Sequence, residues 1–230
     1  MVDRSSRSEF GTRSPSGAGP QSADDGSSSP IVELLVVFVA VYALQWVTAL
    51  IGVGLMAGLF VLAPPLSTNP WTIVTSVYAH GGLGHLLSNS LALIVFGWPV
   101  ARATTRLRFH VFFLVTGAIA GVSQIVFTNA AAAMPLVGVA PTEGVIGASG
   151  AVFALLGYLI ASNRLSASLA SFVEVPQWLS ALVFLALAVA VTLATAAPGV
   201  ALLAHFTGFL LGLVAGRVRL LQVGSRSARP

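Results

Sequence analysis

The sequence contains no cysteine and no lysine. Without cysteine, disulfide bonds, thiolate catalysis and cysteine-ligated metals are excluded. Charge of either sign is scarce, because only 8% of the 230 residues are charged whereas 56% are hydrophobic. Soluble domains average about 25% charged residues. The composition therefore favours a multi-pass protein of the cell membrane. Its expected partners include the lipid bilayer.

The basic residues are eleven arginines. With seven acidic residues in the chain, they give a net charge of +4. A basic excess can indicate nucleic-acid binding when the charges form one patch. Here they are scattered between long uncharged stretches, so we expect no nucleic-acid partner. The Ser-, Gly- and Pro-rich residues 1–30 lack an apolar run and are predicted to be a disordered cytoplasmic tail. Residues 31–220 are predicted to form the membrane domain and residues 221–230 a short basic cytoplasmic tail.

The apolar stretches are long enough for six membrane spans. A helix that crosses the roughly 30 Å hydrocarbon core needs about 20 apolar residues. Charged residues bound most of the stretches, and prolines or the Pro198-Gly199 turn signal divide the longest ones. The predicted fold class is an all-α membrane protein with six transmembrane helices. The predicted spans are residues 33–62, 85–100, 107–127, 147–162, 178–196 and 200–216.

The arginines indicate the orientation of these spans. All eleven lie before the first span, at residues 102–108 between the second and third spans or at the very start of the third, at residue 164 after the fourth span, or after the sixth span. Because loops that stay in the cytoplasm carry an excess of positive residues, both termini are predicted to be cytoplasmic. The connections assigned to the opposite face contain no arginine.

A few polar residues interrupt the apolar spans, and such residues usually face the protein interior. His85 and Asn89 lie four residues apart and share one face of the second span. Ser149 opens the fourth span, where free backbone N–H groups favour a developing negative charge. His205 lies about one turn inside the sixth span. With His80 on the loop before the second span, these residues are predicted to share one depth, on the side away from the arginines.

This set of residues favours nucleophilic catalysis. A serine hydroxyl needs a neighbouring base to become a useful nucleophile, and His205 is the natural candidate for Ser149. Asp and Glu are missing from every span interior, so a Ser/His dyad is expected instead of a triad. The Asn89 amide, the His85 ring and the Ser149 N–H are the expected donors to an oxyanion. Small residues that recur every fourth position along the sixth span would let helices approach closely.

Three motifs together carry a resemblance to a known family. The sequence has His-xxxx-His-xxx-Asn in the second span, Gly-x-Ser-Gly at the start of the fourth and Ala-His-xx-Gly-xxx-Gly in the sixth. This combination resembles the rhomboid intramembrane proteases over roughly residues 71–216. The resemblance implies a rhomboid-like bundle that cleaves transmembrane protein substrates without a cofactor. It also implies the following roles: nucleophile, Ser149; base, His205; oxyanion site and its support, Asn89, His85, Gly147 and His80.

Three alternatives stay open beside this interpretation. The chain could be a catalytically inactive rhomboid-like protein that binds membrane clients. Three histidines could bind Zn²⁺ in a membrane hydrolase, although no carboxylate is available to orient the imidazoles. A channel or transporter is disfavoured because no series of ionisable groups crosses the membrane depth. The oligomeric state stays open, and Phe153, one turn after Ser149, is expected to pack against His205.

Overall fold

The computed structural model describes residues 29–135, 138–162, 177–196 and 199–222. The regular elements within these ranges are helices, and an isolated antiparallel bridge pairs Leu62 with Val145. The helices are α1 (Pro30–Ile51), α2 (Val53–Phe60), α3 (Thr72–Thr75), α4 (Leu83–Ala101), α5 (Arg106–Ala132), α6 (Ser149–Ser162), α7 (Gln177–Ala194) and α8 (Leu202–Arg217).

Three of the helices in the described ranges are long and apolar enough to cross a membrane: α1, α4 and α5. The apolar helices α6 and α8 and the segment Ala181–Ala194 of α7 are shorter. The all-helical fold class of the prediction is confirmed, and the chain has the helices of a membrane protein. The predicted tails, residues 1–30 and 221–230, lie outside the described residues except for their innermost positions, of which Pro30 begins α1.

The helices are interrupted at two places that the predicted spans did not include. The first predicted span continued to residue 62, but α1 ends at Ile51 and α2 begins after Gly52. Glycine is a poor helix former, so a break at this position is inexpensive. Helix α4 contains a π-helical segment, Leu93–Gly97, which ends two residues before Pro99. Because proline has no N–H to donate, the normal helical hydrogen-bond pattern cannot continue through it.

Helix α6 packs against α4, α5 and α8, and α5 and α8 also contact each other. The small residues of α8 allow its backbone to touch that of α6. A Cβ atom on Gly208 would overlap the carbonyl oxygen of Gly150, and one on Gly212 would overlap the carbonyl oxygen of Ala154. The small-residue stripe predicted for the sixth span therefore lies in the α6–α8 contact.

Polar contacts join three segments at the end of the bundle that carries arginines. The Glu33 carboxylate in the first turn of α1 pairs with Arg106 and, at 2.7 Å, with Nε2 of His110, both on α5. Arg108 donates from Nη1 to the carbonyl oxygen of Gln222, which follows α8. Since α8 runs from His205 toward Gln222, this end lies opposite the beginning of α8.

Candidate active site

A cavity of about 500 Å³ is lined by residues of α4, α5, α6 and α8 and of the segments that precede α4, α6 and α8. It is the place in the described structure where the side chains singled out in the sequence come together. The predicted site residues that line it are His85, Asn89, Gly147, Ser149 and His205. Three separate helices thus contribute polar groups to one cavity.

Ser149 is the first residue of α6, and a tight turn places it there. The Ala148 carbonyl accepts the Val152 N–H at 3.0 Å, which closes the first turn of the helix. Gly147 before it has φ of 132° and donates its N–H to the Ser76 carbonyl at 2.9 Å. The amides of a first helical turn lack intrahelical acceptors, so the Ser149 hydroxyl lies where negative charge is stabilised.

His205 is held in the first turn of α8 by an aromatic neighbour. Its ring stacks on Phe153 of α6, with centroids 4.2 Å apart and planes 18° apart, which confirms the expected packing. Only 7% of the residue is exposed. Ser149 Oγ and the His205 ring line the same cavity but are not hydrogen bonded to each other in the described structure. Such bonds are often loose without substrate and tighten when it binds.

The hydrogen bonds of His85 and Asn89 leave each of them with a free donor. Gly81 donates its N–H to Nδ1 of His85 at 3.3 Å, so the proton of the neutral ring lies on Nε2. Nε2 is within 2.8 Å of the position that a Cβ atom on Gly147 would occupy. The Asn89 amide donates one N–H to the His85 carbonyl at 3.0 Å and keeps a second. Both side chains can therefore donate into the cavity.

His80 lies beside the cavity instead of lining it. Its backbone is bound by the Gln45 side chain, whose Oε1 accepts the His80 N–H at 2.9 Å and whose Nε2 donates to the His80 carbonyl at 3.2 Å. The ring packs edge-on against Phe38 at 4.8 Å and lies 5.4 Å from the His85 ring. Burial, aided by the neighbouring His85, lowers the pKa of His80 to about 4. His80 is therefore neutral near pH 7.

Gln124 on α5 is a supporting residue that the sequence interpretation missed. Its Oε1 accepts the Ala204 N–H at 3.1 Å, and its Nε2 donates to Thr142 Oγ1 at 3.1 Å. Ala204 is the third residue of α8, where the helix itself supplies no acceptor, and Ala201 at the cap has no side-chain oxygen. Gln124 thus caps the helix of His205 from a neighbouring helix. A lone buried amide in an apolar span was the available signal.

A Zn²⁺ site would need several ligand side chains close together around one point. No group of three or more histidines, aspartates or glutamates lies close enough to hold a metal ion within the ranges that the structure describes. His80 and His85 are neighbours, whereas the ring of His205 stacks on Phe153. The described geometry therefore offers serine and histidine chemistry instead of a ligand set.

Fold and site together define a helical membrane protein with serine, histidine and asparagine gathered inside its bundle. A comparison with known families agrees with this class, because the model of the Rhomboid domain matches residues 67–222. The match covers more than half of the chain, and the protein belongs to the rhomboid family.

Individual relatives are distant. The chain is 30% identical to RHOMBOID-like protein 4 of Arabidopsis thaliana over 168 residues, which are 73% of the chain and 38% of the relative. It is 28% identical to RHOMBOID-like protein 1 of the same plant over 66% of the chain and 35% of the relative. It is 27% identical to Rhomboid-related protein 2 of Mus musculus over 49% of the chain and 33% of the relative. The chain thus spans between 33% and 38% of the length of these relatives.

Proposed function

We propose that the protein is an intramembrane serine endopeptidase that cleaves peptide bonds in or near transmembrane segments of other proteins. One observation carries the proposal: Ser149 and His205, from two helices in backbone contact, line one cavity together with His85 and Asn89. Apolar packing does not require these polar side chains to meet. Membership of the rhomboid family supports the same activity.

The reaction starts with the removal of the serine proton. Nε2 of His205 takes the proton from Ser149 Oγ as Oγ attacks the carbonyl carbon of the scissile bond. The carbonyl oxygen becomes an oxyanion, and the imidazolium then gives its proton to the leaving amine. The amine departs, and the acyl group remains on Ser149 as an acyl-enzyme. Water, deprotonated by His205, attacks the ester carbonyl. The bond between Oγ and the acyl carbon then breaks, the imidazolium returns its proton to Ser149 Oγ, and the carboxylic acid product leaves. No carboxylate takes part in this dyad.

The oxyanion forms next to three groups that can donate. These are the Ser149 backbone N–H, Nε2 of His85 and the second N–H of Asn89. Gly147 provides the turn that brings the first two together, and His80 supports the loop behind His85. Removal of one such donor typically lowers kcat by about 10² to 10³.

The proposed topology has six spans, with both termini in the cytoplasm and the cavity toward the extracytoplasmic side. The three shorter apolar helices α6, α7 and α8 then cross the membrane together with α1, α4 and α5. The helix ends that lie away from the cavity carry arginines: Arg102, Arg106, Arg108 and Arg217. Their position supports this orientation. A substrate helix hides its peptide groups in lipid, so local unwinding would precede cleavage.

Replacement of the nucleophile tests the activity directly. Ser149→Ala should abolish cleavage of a single-span model substrate in detergent or proteoliposomes, and it should abolish labelling by a fluorophosphonate. Ser162→Ala is the matched control, because Ser162 is the last residue of the same helix. It should cleave and become labelled like wild type. Cleavage by purified Ser149→Ala at the wild-type rate would contradict the assignment.

The competing function is that of an inactive, client-binding member of the same family. The missing Ser149–His205 hydrogen bond in the described structure is the observation that favours it. The two functions differ in chemistry: a client binder would not react with a fluorophosphonate at Ser149, whereas the endopeptidase would. Mass spectrometry of the labelled protein decides between them.

A further inference from the structure

The His205 ring has a second neighbour besides Phe153. The hydroxyl of Thr195, one residue after the end of α7, lies 3.4 Å from Nδ1 of His205. Stacking on Phe153 fixes the plane of the imidazole but does not choose which nitrogen carries the proton. The contact with Thr195 involves Nδ1 itself and therefore bears on that choice.

The hydrogen of the Thr195 hydroxyl already has acceptors. Oγ1 lies 3.1 Å from the Val191 carbonyl oxygen and 3.1 Å from the Thr192 carbonyl oxygen. A threonine hydroxyl has one hydrogen and two lone pairs. When the hydrogen is donated to the preceding helical turn, a lone pair is left for His205. The favoured partner of that lone pair is an N–H at Nδ1.

We infer that Thr195 is a positioning residue that keeps the proton of His205 on Nδ1 and leaves the lone pair of Nε2 for Ser149. This inference rests on the proposed function. In serine protease triads a carboxylate fixes the tautomer and orientation of the histidine. Here the interiors of the spans contain no carboxylate, and a hydroxyl already bonded to the helix before it provides the acceptor. The end of α7 thereby contributes to the site.

The kinetic effect of losing the hydroxyl should be moderate. A neutral hydrogen bond contributes about 1 kcal/mol, which corresponds to about five- to tenfold in rate. Thr195→Val keeps the shape of the side chain and removes the acceptor. We expect kcat to fall about five- to tenfold with KM within about twofold of wild type, because Thr195 acts on the base. Thr195→Ser, which restores the hydroxyl, should recover most of kcat.

Thr48 is a matched control. It lies near the end of α1, and its hydroxyl bonds to the carbonyl oxygens of Leu44 and Gln45 in the same backward pattern. Within the described residues, the hydrogen bonds of this hydroxyl include none to a histidine. Thr48→Val should therefore leave kcat and KM unchanged. Wild-type kcat in Thr195→Val would overturn the inference, and so would a Thr195→Ser variant that is as slow as Thr195→Val.

A spectroscopic readout separates this inference from the proposed function. Nitrogen-15 NMR of histidine-labelled full-length protein in micelles distinguishes protonated from unprotonated ring nitrogens, and His205→Gln identifies the His205 signals. Wild type should show a proton on Nδ1, and Thr195→Val should show a mixture of tautomers. An unchanged tautomer would refute the role of Thr195. If wild-type protein neither cleaves nor reacts with a fluorophosphonate, the proposed function fails while this measurement still decides the tautomer.

Discussion

The two histidines of the cavity differ because of their partners. At His85, Nδ1 accepts an N–H from Gly81, so Nε2 is left as a donor. At His205, Nδ1 faces a hydroxyl, so Nε2 is left as an acceptor in the tautomer that we infer. The same side chain thus suits an oxyanion donor in one place and a base in the other. The partner of one ring nitrogen sets the role of the other.

Gly147 provides a test of this arrangement at a single residue. A Cβ atom at this position would meet Cε1 of His85 at 2.5 Å, and φ of 132° is strained for any side chain. We expect Gly147→Ala to destabilise the protein by about 2 to 4 kcal/mol and to lower kcat at least tenfold, because the His85 ring must move. Thermal unfolding and cleavage rates in detergent measure both effects.

Gly138 is the control for backbone strain. It also has a positive φ, 59°, but no atom lies within 4 Å of its Cβ position. Gly138→Ala should therefore cost only about 1 kcal/mol and leave kcat intact. If Gly147→Ala behaved like Gly138→Ala in both measurements, the close contact between Gly147 and His85 would not matter for the site.

Some residues of the site could be predicted from the sequence. Costly polar side chains in apolar spans identified His85, Asn89, Ser149 and His205, and the structure brings these four to one cavity. Their catalytic roles stay predictions. Thr195 and Gln124 could not be assigned roles, because their function depends on which atoms of distant segments they touch. Spacing along one helix carries no information about such contacts.

At the level of elements, hydropathy located the helices but did not locate their irregularities. The ends of α6, α7 and α8 differ from the predicted spans by two residues or fewer. The break at Gly52 and the π segment of α4 were not predicted, because both depend on backbone hydrogen bonds that an apolar composition does not specify. The start of α6 at Ser149 depends in the same way on the Gly147 turn.

The contact between α6 and α8 is the element-level feature that the site requires most. Gly212 lies against the backbone of Ala154, one turn further from the cavity than Gly208. A methyl group there must push the helices apart. Gly212→Ala should lower stability by about 1 to 3 kcal/mol, and it should reduce kcat because Ser149 and His205 separate.

The control for this substitution is Gly54→Ala in α2, where no atom lies within 4 Å of the Cβ position. Alanine favours a helix over glycine by up to about 1 kcal/mol, so this variant should be as stable as wild type or slightly more stable. Unfolding of both variants in the same detergent gives the comparison. Wild-type stability and activity of Gly212→Ala would show that the two helices do not need their backbone contact.

At the scale of the molecule, the polar groups divide between the two ends of the bundle. The cavity lies where α4, α6 and α8 begin, whereas Glu33, Arg106 and His110 join α1 to α5 at the other end. The order and length of the spans specify this division, so the sequence could predict it. The close packing behind the cavity, in which the Gln45 side chain of α1 binds the backbone of His80, could not be predicted.

His80 links the stability of the whole protein to pH. Its pKa in the folded protein is about 4, below the ordinary value of 6.5, because burial disfavours the charged ring and His85 opposes it further. Between these two values the unfolded chain binds more protons than the folded protein does. The contribution of His80 is therefore fully present above about pH 6.5 and decreases as the pH falls toward 4, by up to about 3 kcal/mol.

Replacement of the ring isolates this contribution from the other ionisable groups. His80→Leu removes the titrating group and places an apolar side chain beside Phe38, so its thermal unfolding temperature should fall less than that of wild type between pH 6.5 and 4.5. The remaining histidines and carboxylates are common to both proteins and largely cancel in the comparison. Equal losses in the two proteins over this range would mean that His80 accepts a proton without unfolding, and that the packing of α1 against the loop behind the cavity tolerates a charge.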